Sequence, residues 1–516
     1  MDHMTSKLEE QWNAVPILQS RPLPYVAAFL VVVLAIFYWH VPSNVPVLNA
    51  KGFFEFSDER VKKVFLGNAR QMLHNWFEEN PDKPVSVYTD TGTVIVLPGS
   101  MANEIRNDKR FHLRQRVERM MHGRLPGFEV FRDDNNNQLV TTVINKDLTK
   151  QLAKVTAPLA EETSLALADL LGEDTEWHEL PLQGTILKLI SRLSSRVFLG
   201  TKLCRNEEWL QVTREYAVIA FLAAQDLRLW SPWIRPIANL FLSKCRMSRA
   251  LIQKARELIQ PVIQERTRLK AKSTEGQASE FNDAISWFED AANAESFDPQ
   301  IVQLSLSTVA IHTTTDLLCQ TLADIAMHPQ IIEPLREEII SILSEDNGLK
   351  TTSFGKMKLL DSCIKESQRL KPLSMASMGR IATEQVVLSD GTVIPKGQSI
   401  IVDSSKMWDS KVHPTSPGKW DGYRFLRMRE DPKKRDIAQL ITTSPEQIAF
   451  GYGVHACPGR FFAGNEIKIA LAAILLKYEL KLEEGQTPRA FDHGFTCNFD
   501  FSVKISVKRR KKEIGI

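Results

Sequence analysis

The sequence lacks the patterns that mark several large classes of protein. Its six cysteines, at positions 204, 245, 319, 363, 457 and 497, show no paired spacing of the kind that forms a zinc site or a disulfide framework, which favours a reducing compartment. With 65 basic and 62 acidic residues, the formal net charge is only +3, so no nucleic-acid partner is expected. It has no internal repeat, no low-complexity tract and no flavin or nicotinamide fingerprint, so redox chemistry would need electrons from another protein.

The chain has enough apolar material for a large core, with 516 residues of which 43% are hydrophobic. Helical periodicity dominates residues 141–346 and is interrupted near 173–180, at Gly200 and near 273–276. The pattern also predicts a helix over 65–77, hairpins over 84–97 and 386–402, and a strand over 499–507. Residues 109–137 lose the periodicity, which suits a loop over a pocket or a plain surface loop. These features predict a mainly α (α+β) domain over residues 51–516.

A long apolar run follows an N-terminal tail of residues 1–22. As a helix, residues 23–41 would reach about 28 Å, close to the hydrocarbon thickness of a bilayer. This predicts a transmembrane anchor, with a cleaved signal peptide or a buried core helix as alternatives, followed by a stiff proline-containing linker over 42–50. Basic residues after the run outnumber those before it, which predicts a single-pass protein of the endoplasmic reticulum membrane whose C-terminal body is cytosolic.

The segment Phe450-x-x-Gly453-x-His455-x-Cys457-x-Gly459 carries the most specific pattern in the chain. Its glycines allow a tight turn and a close approach to a flat partner, and Pro458 suits the first position of a helix, which places Cys457 at the N-cap. Unpaired N–H groups at a helix start favour a thiolate. A lone thiolate on such a loop suits axial ligation of haem iron, while the alternative is a buried structural cysteine.

This segment resembles the haem-binding signature of the cytochrome P450 family, in which His often replaces the usual Arg at the position of His455 in fungal members. The resemblance extends over roughly residues 45–507. It implies the P450 fold, a helix-rich haem-thiolate domain with small β-sheets, which binds haem b with Cys457 as the iron ligand. It also implies a monooxygenase that activates O2 with electrons from an NADPH-cytochrome P450 reductase. Arg460 and Lys468 are candidate contacts for the reductase.

A second segment lies in the predicted buried helix over residues 301–327. Ala310 and Thr314 are four positions apart and therefore share a face of this helix, whereas His312 points elsewhere and is interpreted as a core or surface histidine. By the resemblance, this helix crosses the distal side of haem, and the hydroxyl of Thr314 helps to deliver protons to dioxygen. Thr313 stands where the family usually has an acid, so hydroxyls and ordered water would replace the carboxylate. A purely structural role for the threonines is the alternative.

Three charged residues are expected to hold the site together without taking part in the chemistry. Glu366 and Arg369 are spaced to pair on one helix face, and such a pair is by itself usually a solvated salt bridge. Trp420-Asp-Gly-Tyr-Arg424-Phe425 resembles the family segment whose arginine completes a buried triad with such a pair. The resemblance therefore implies that Glu366, Arg369 and Arg424 fix the loop beneath the thiolate.

The resemblance also implies the remaining contacts of the cofactor and the substrate. Phe450, Gly453 and Gly459 would shape the haem loop, and Arg380 and His455 are candidates for contacts with the haem propionates. The family's Trp-x-x-x-Arg motif has no clear counterpart, and Lys146 is the nearest basic residue. The predicted lining of the substrate pocket is Ala310, Leu373, Met375, Met378, Phe495 and Thr496.

The substrate class follows only from the resemblance. Ile311-His-Thr-Thr-Thr and the run from Cys457 to Ile467 look most like filamentous-fungal members such as ent-kaurene oxidase and the oxidases of indole diterpenes and meroterpenoids. A hydrophobic terpenoid of secondary metabolism is therefore the expected substrate. A haem-thiolate isomerase, dehydratase or peroxide-using enzyme remains an alternative, as does a haem-binding sensor or carrier without catalysis.

Overall fold

The computed structural model describes residues 26–29, 31, 43–55, 57–272, 281–293 and 295–511. The predicted anchor over 23–41 lies outside these residues except for 26–29 and 31, and the tail over 1–22 and the predicted break at 273–276 lie wholly outside them. In the described part of the chain, no helix combines the length and apolar character needed to cross a membrane.

Helices make up most of the described chain, as the periodicity predicted. Their bounds are α1 Glu59–Glu79, α2 Ala102–Ile105, α3 Leu113–Met121, α4 Asn135–Val143, α5 Thr149–Leu171, α6 Leu182–Leu199, α7 Glu207–Arg228, α8 Arg235–Phe241, α9 Ser243–Lys272, α10 Ala284–Ala292, α11 Pro299–Met327, α12 Ile332–Asp346, α13 Ser353–Lys356, α14 Lys358–Leu370, α15 Arg424–Met428 and α16 Arg460–Lys477.

Within the described residues, the strands are short and form four small sheets. Their bounds are β1 Val85–Thr89, β2 Gly92–Leu97, β3 Phe111–His112, β4 His178–Pro181, β5 Ala376–Ala382, β6 Val386–Val387, β7 Val393–Ile394, β8 Ser399–Asp403, β9 Tyr478–Leu482, β10 Phe491–His493, β11 Thr496–Asn498 and β12 Lys504–Arg509. The largest sheet has the order β1-β2-β8-β5-β3, and a second has the order β4-β12-β9. The main sheet is antiparallel except where β2 runs parallel to β8.

Helix α11 is the central element and positions one wall of the site. Asp298 caps its N-terminus by accepting hydrogen bonds from the N–H groups of Gln300 at 3.1 Å and Ile301 at 3.0 Å, and Pro299 occupies the first turn, where its missing N–H costs nothing. Twenty of its residues are buried, because α6, α7, α14 and α16 pack around it. A helix enclosed on nearly all sides needs apolar residues all round, which explains why the segment shows little amphipathic pattern.

The bounds of these helices and strands test several predictions made from the sequence. The helix over 65–77 lies within α1, and the first hairpin forms as β1 and β2. Residues 109–137 are not an irregular loop throughout, because α3 lies within them. The second hairpin is limited to β6 and β7, since β8 joins the main sheet instead, and the last strand begins only at Lys504.

The segment predicted as a stiff proline-containing linker is joined to the main sheet at its edge strand. Val47 forms a parallel bridge with Ser86, and the N–H of Ser86 donates to the carbonyl of Pro46 at 2.8 Å. Asn49 is buried and its amide donates to the carbonyl of Tyr88 at 2.9 Å. An edge strand offers unpaired backbone groups, and this segment satisfies those of β1. Residues 43–50 are therefore part of the folded body.

Candidate active site

The Cys457 loop is shaped by two glycines with left-handed backbone angles. Gly451 has φ 71° and Gly453 has φ 79°. At Gly453, a Cβ atom would lie 2.5 Å from the backbone oxygen of Arg106, so the close approach of the chain also requires glycine. The N–H of Cys457 donates to the carbonyl of Phe450 at 2.7 Å and closes the loop. Gly453 and Gly459, the two glycines of the sequence motif, therefore differ in their roles: Gly453 has a left-handed φ, whereas Gly459 has an ordinary φ of −80°.

The prediction that Cys457 occupies a helix N-cap is wrong. Helix α16 begins at Arg460 with Gly459 as its N-cap, because the chain makes a turn at Pro458 and Gly459 before the helix starts. The N–H groups of Gly459 and Arg460 nevertheless bond to the sulfur and lower the pKa of the thiol, but burial raises that pKa by more. Helix geometry alone therefore does not stabilise the thiolate, and a cation at the sulfur would be needed to do so.

A cavity of about 430 Å³ brings the two sequence motifs together. Phe450, Cys457 and Gly459 line it from the loop, and α11 contributes one face. Most of the remaining wall is apolar and comes from residues that the sequence patterns did not single out, among them Leu113, Val117, Phe131, Val140, Ile144 and Leu306. Residues from 113 to 148 therefore form much of the cavity wall, and those up to 137 belong to the irregular segment 109–137, for which a position over a pocket was one of the two interpretations.

Helix α11 presents its hydroxyl groups to this cavity. Ala310, Thr313 and Thr314 all line it. The hydroxyl of Thr313 donates to the carbonyl of Val309 at 2.9 Å, whereas Thr314 is buried. Thr313 takes the position of the usual acid with its own proton already committed to the helix backbone. His312 lies away from the cavity and pairs with the carbonyl of Arg214 at 2.9 Å, in agreement with the prediction.

A cluster of basic residues, Arg380, Arg114, His112 and His455, lies beside the cysteine loop and is called the positive cluster; of the four, only Arg380 is buried. Arg380 is 1% exposed, and its Nε and Nη1 have no hydrogen-bond partner among the described residues. Burial lowers the pKa of Arg380 to about 10. Burial also lowers the pKa of His455 to about 4, and the charges of Arg380, His112 and Arg114 add to this effect. The unpaired nitrogens of the buried Arg380 guanidinium call for an anionic ligand.

These residues fit haem. The thiol that needs a cation can ligate its iron, and the unpaired donors of Arg380 match its propionate carboxylates. A comparison with models of known families matches residues 62–504 to "Cytochrome P450". The chain is a cytochrome P450. It is therefore an oxidoreductase of the monooxygenase class with haem b as its cofactor.

Fungal P450 monooxygenases are among the relatives to which this chain is similar. Cytochrome P450 monooxygenase sdnQ of Sordaria araneosa is 46% identical over 478 residues, which cover 91% of this chain and 86% of the relative. Cytochrome P450 monooxygenase TRI1 of Fusarium sporotrichioides is 42% identical over 492 residues, which cover 95% and 90%. Cytochrome P450 monooxygenase hepE of Aspergillus oryzae is 44% identical over 475 residues, which cover 91% and 86%. The similarity thus spans almost the whole P450.

The three predicted structural residues of this P450 contact one another in its interior. Arg369 forms two hydrogen bonds with Glu366, at 2.8 and 2.9 Å, and Arg424 donates to the same carboxylate at 2.9 Å. The exposed fractions of the Glu366 and Arg369 side chains are zero. Arg369 also donates to the carbonyl of Met407, and Arg424 to those of Thr415 and Ser416. The triad thereby ties α14 to the segment 407–424.

Several predicted contacts of the P450 do not reach the cavity. Lys146 is exposed on a π-helical turn over Ile144–Leu148, so the structure does not bring it to the positive cluster. Arg114 lines the cavity instead. Arg114 could have been found from the sequence only through its place in residues 109–137, which were interpreted as a possible loop over the pocket. Lys468 is buried, where it pairs with Asp361 and donates to the carbonyl of Phe354, so it cannot contact a reductase.

The predicted substrate lining is correct only in part. Ala310 and Leu373 line the cavity, whereas Met375, Met378, Phe495 and Thr496 are not among its lining residues. Met375 and Phe495 pack with Phe65 in a separate apolar cluster, and Met378 belongs to another. The physical reason is that Met378 lies in β5, which joins the main sheet, and Met375 directly precedes that strand, whereas Thr496 lies in the separate β10–β11 hairpin and Phe495 directly precedes it.

Proposed function

We propose that this P450 oxidises a hydrophobic substrate of terpenoid type in a fungal secondary pathway, with O2 and electrons from an NADPH-cytochrome P450 reductase. The observation that carries the proposal is one largely apolar cavity with Cys457 and Thr314 on its wall. Apolar walls favour a hydrophobic substrate and keep water from the reaction. The fungal monooxygenases among the relatives support the class of reaction and the setting.

Each part of the site has a defined task in this proposal. Cys457 would hold the haem iron, and Arg380, His455 and Arg114 would hold the propionates. When bound, haem with a thiolate ligand supplies the activation of dioxygen. The hydroxyl of Thr314, together with ordered water, would carry the protons that this chemistry consumes, because no carboxylate occupies position 313. Thr313 would take part only when its hydroxyl turns away from the carbonyl of Val309.

Reductase binding requires a basic surface near the cysteine loop. Lys433 and Lys434 are exposed on the segment that leads to Ile441, whose carbonyl accepts a hydrogen bond from Arg460 at 3.0 Å. They are therefore better placed than Lys468 to attract an acidic partner. Such attraction weakens with ionic strength. Turnover that does not respond to salt would argue against this surface.

Membrane attachment is part of the same proposal. The sequence of residues 23–41 supports a single-pass anchor in the endoplasmic reticulum membrane with the P450 body in the cytosol. Exposed apolar side chains in the described residues support a second contact with lipid: Phe53, Phe54, Leu229, Trp233, Ile237 and Phe241 are each more than half exposed. Aromatic residues of this kind favour the boundary between lipid and water.

The decisive experiment is expression of the full chain in a host that contains a P450 reductase, with a terpenoid panel and identification of products by mass. The reduced, carbon-monoxide-bound protein should show a Soret band at about 450 nm. Cys457→Ala should abolish this band. A band that survives the substitution would contradict the assignment of Cys457 as the ligand.

The alternatives are separated by one comparison of product formation. Reductase with NADPH should support turnover, and peroxide alone or neither addition should not. Turnover with peroxide alone would favour a peroxide-using enzyme, for which the missing acid at Thr313 leaves room. Turnover with neither addition would indicate an isomerase or dehydratase, and a protein that binds haem but makes no product in any of the three would be a sensor or carrier.

A further inference from the structure

Asp316 is the only acidic side chain among the described residues that line the cavity. The three other charged lining residues, Arg114, Arg132 and Lys371, are all basic. A carboxylate in a largely apolar wall is costly unless a polar group pairs with it. None of the roles assigned above to the loop, the positive cluster or the triad uses Asp316.

The carboxylate of Asp316 is held in place by a neighbouring backbone group. The N–H of Phe499, in the turn after β11, donates to its Oδ1 at 3.0 Å. The amide of Gln320 also lies within reach. Lys371 is the nearest cation, but it pairs with Asp324. Within the described part of the chain, Asp316 forms no ion pair, so its second oxygen remains available to a ligand in the cavity.

Helix geometry separates Asp316 from Thr314. At 3.6 residues per turn, two positions correspond to about 200° around the helix. Both residues line the cavity, so they lie at opposite edges of the face of α11 that borders it, with Thr313 between them. Asp316 therefore faces Phe499 and Lys371 rather than the place where Thr314 acts, and this position suits substrate binding better than proton transfer to dioxygen.

We propose that Asp316 accepts a hydrogen bond from a hydroxyl group of the substrate, so that this P450 binds an alcohol in preference to the parent hydrocarbon. The inference rests on the proposed function, because it concerns the substrate of the same cavity. The charge of Lys371 near Asp316 disfavours an ammonium group, and the carboxylate itself repels an acid. A neutral hydroxyl donor satisfies both conditions and gains a charge-assisted hydrogen bond.

The enzyme would then act after the step that installs the hydroxyl group. That step is capture of water by a carbocation, hydrolysis of an ester, oxygenation of the skeleton or reduction of a carbonyl group. The P450 would then oxidise a second carbon of a molecule that already carries one oxygen function. Its product would be more polar than its substrate by one further oxygen atom.

Matched pairs of a polycyclic alcohol and its parent hydrocarbon test the proposal directly. We suggest borneol with bornane and cedrol with cedrane, titrated against the haem-loaded full chain through the change in its Soret spectrum. At least one alcohol should bind the wild type roughly tenfold or more tightly than its hydrocarbon, as expected for a hydrogen bond to a charged group. Asp316→Leu should abolish the preference, and Asp316→Asn should leave an intermediate one because its carbonyl is neutral.

The control variant is Leu317→Ala, which removes an adjacent apolar lining residue. It should weaken the binding of both members of a pair and leave their ratio unchanged. Wild-type protein that shows no preference for either alcohol, or a preference that survives in Asp316→Leu, would overturn the proposal. If the band at about 450 nm and product formation persist in that case, the proposed function stands and only the role of Asp316 fails.

The preference should also depend on pH. Burial raises the pKa of Asp316 to about 6, against the hydrogen bond from Phe499, the nearby amide of Gln320 and the charge of Lys371, with the buried thiols of Cys319 and Cys497 nearby. Protonation removes the charge that strengthens the hydrogen bond. Alcohol binding to the wild type should therefore weaken between pH 7.5 and 5.5, and Asp316→Leu should lack this change. Equal changes in both proteins would contradict the assignment.

Discussion

Thr314 and Thr313 are adjacent hydroxyl residues with different surroundings. Thr313 donates to the backbone of its own helix, whereas Thr314 is buried at the edge of the cavity face of α11. A residue whose hydroxyl is needed only for proton delivery can be truncated without loss of the cofactor. Substitution of Thr314 should therefore impair the productive use of electrons and leave haem binding intact.

Thr314→Ala should keep the carbon-monoxide spectrum but divert electrons from product to peroxide. The measurement is the ratio of NADPH consumed to product and hydrogen peroxide formed. Thr308→Ala is the matched control, because Thr308 is also buried on α11 but donates to the carbonyl of Leu304 and does not line the cavity. Unchanged coupling in Thr314→Ala would remove Thr314 from the mechanism.

Glu466 is a second residue with testable electrostatics. It is fully buried on α16, accepts a hydrogen bond from Ser194 at 2.8 Å, and its Oε2 has no partner among the described residues. Burial raises its pKa from 4.5 to about 8. The folded protein therefore binds a proton that the unfolded chain releases, and stability should fall as pH rises from about 4.5 to about 8.

Glu466→Gln should remove this dependence, because the amide is neutral and its oxygen still accepts from Ser194. Relative to wild type, its thermal unfolding temperature should rise progressively between pH 5 and pH 8. The exposed Glu59→Gln serves as the control and should follow the wild type throughout. A wild type and a Glu466→Gln variant with parallel pH profiles would show that the carboxyl group does not titrate in this range.

At the scale of elements, the buried triad joins α14 to the segment 407–424. Glu366 accepts from both arginines, so its removal would leave two guanidinium groups without their counter-charge in the interior. Breaking a buried pair in this way typically costs about 3–5 kcal/mol. The destabilisation should extend beyond α14, because the carbonyls that accept hydrogen bonds from the two arginines, at 407, 415 and 416, belong to a stretch without long helices.

Glu366→Ala should therefore yield a protein that is destabilised by about 3–5 kcal/mol and retains little haem. Haem content per chain and thermal unfolding measure the two effects. Glu333→Ala is the control, because Glu333 also pairs with an arginine three positions later, Arg336, but is itself 67% exposed. Its cost should be no more than about 1 kcal/mol. Normal haem loading of Glu366→Ala would refute the structural role of the triad.

The elements that the sequence predicted best are those decided by local patterns. Helix α1 and the β1–β2 hairpin follow from amphipathic spacing and the Asp90-Thr-Gly92 turn, and α11 from its length and apolar content. The cysteine loop could be predicted because backbone constraints tie its glycines to fixed positions. The start of α16 could not, since Pro458 is compatible with both the turn and the first helical turn.

The cavity wall was harder to predict because it depends on contacts between distant segments. The pairing of β5 with β8 removes Met375 and Met378 from the predicted lining, and no local pattern specifies that pairing. The choice of Arg114 over Lys146 likewise depends on how the segment 113–148 folds over α11. Asp316 carries no motif, and only its place in the cavity distinguishes it from other acidic residues of helices.

At the scale of the whole molecule, the exposed apolar residues around α8 are unusual for a surface. Trp233 is 89% and Phe241 is 73% exposed, and Leu229 and Ile237 are also more than half exposed. Surfaces of this kind commonly mark sites of interaction with lipid or protein. Contact with the bilayer would fit the proposed anchor, because a tethered body needs only a modest additional attraction to settle on the membrane.

Trp233 should report this contact. In vesicles of brominated phosphatidylcholine, the tryptophan fluorescence of the full chain should be quenched, and Trp233→Phe should lose a measurable part of that quenching. Trp209→Phe is the control, since Trp209 is fully buried and hydrogen-bonded to Ser195 at 3.1 Å. Identical quenching in the Trp233→Phe variant and the wild type would show that Trp233 does not approach the lipid.

The parallel pairing of β2 with β8 also affects how the protein folds during translation. Val94 pairs with Ser399, about 300 positions later, so the early hairpin must wait for most of translation before its neighbour emerges from the ribosome. At ~5–20 residues per second, that wait is roughly 15–60 s. Val94 and Val96 pack with residues of α1 and β1, which are synthesised first, but during this interval the backbone edge of β2 that later pairs with β8 would be open to chaperones.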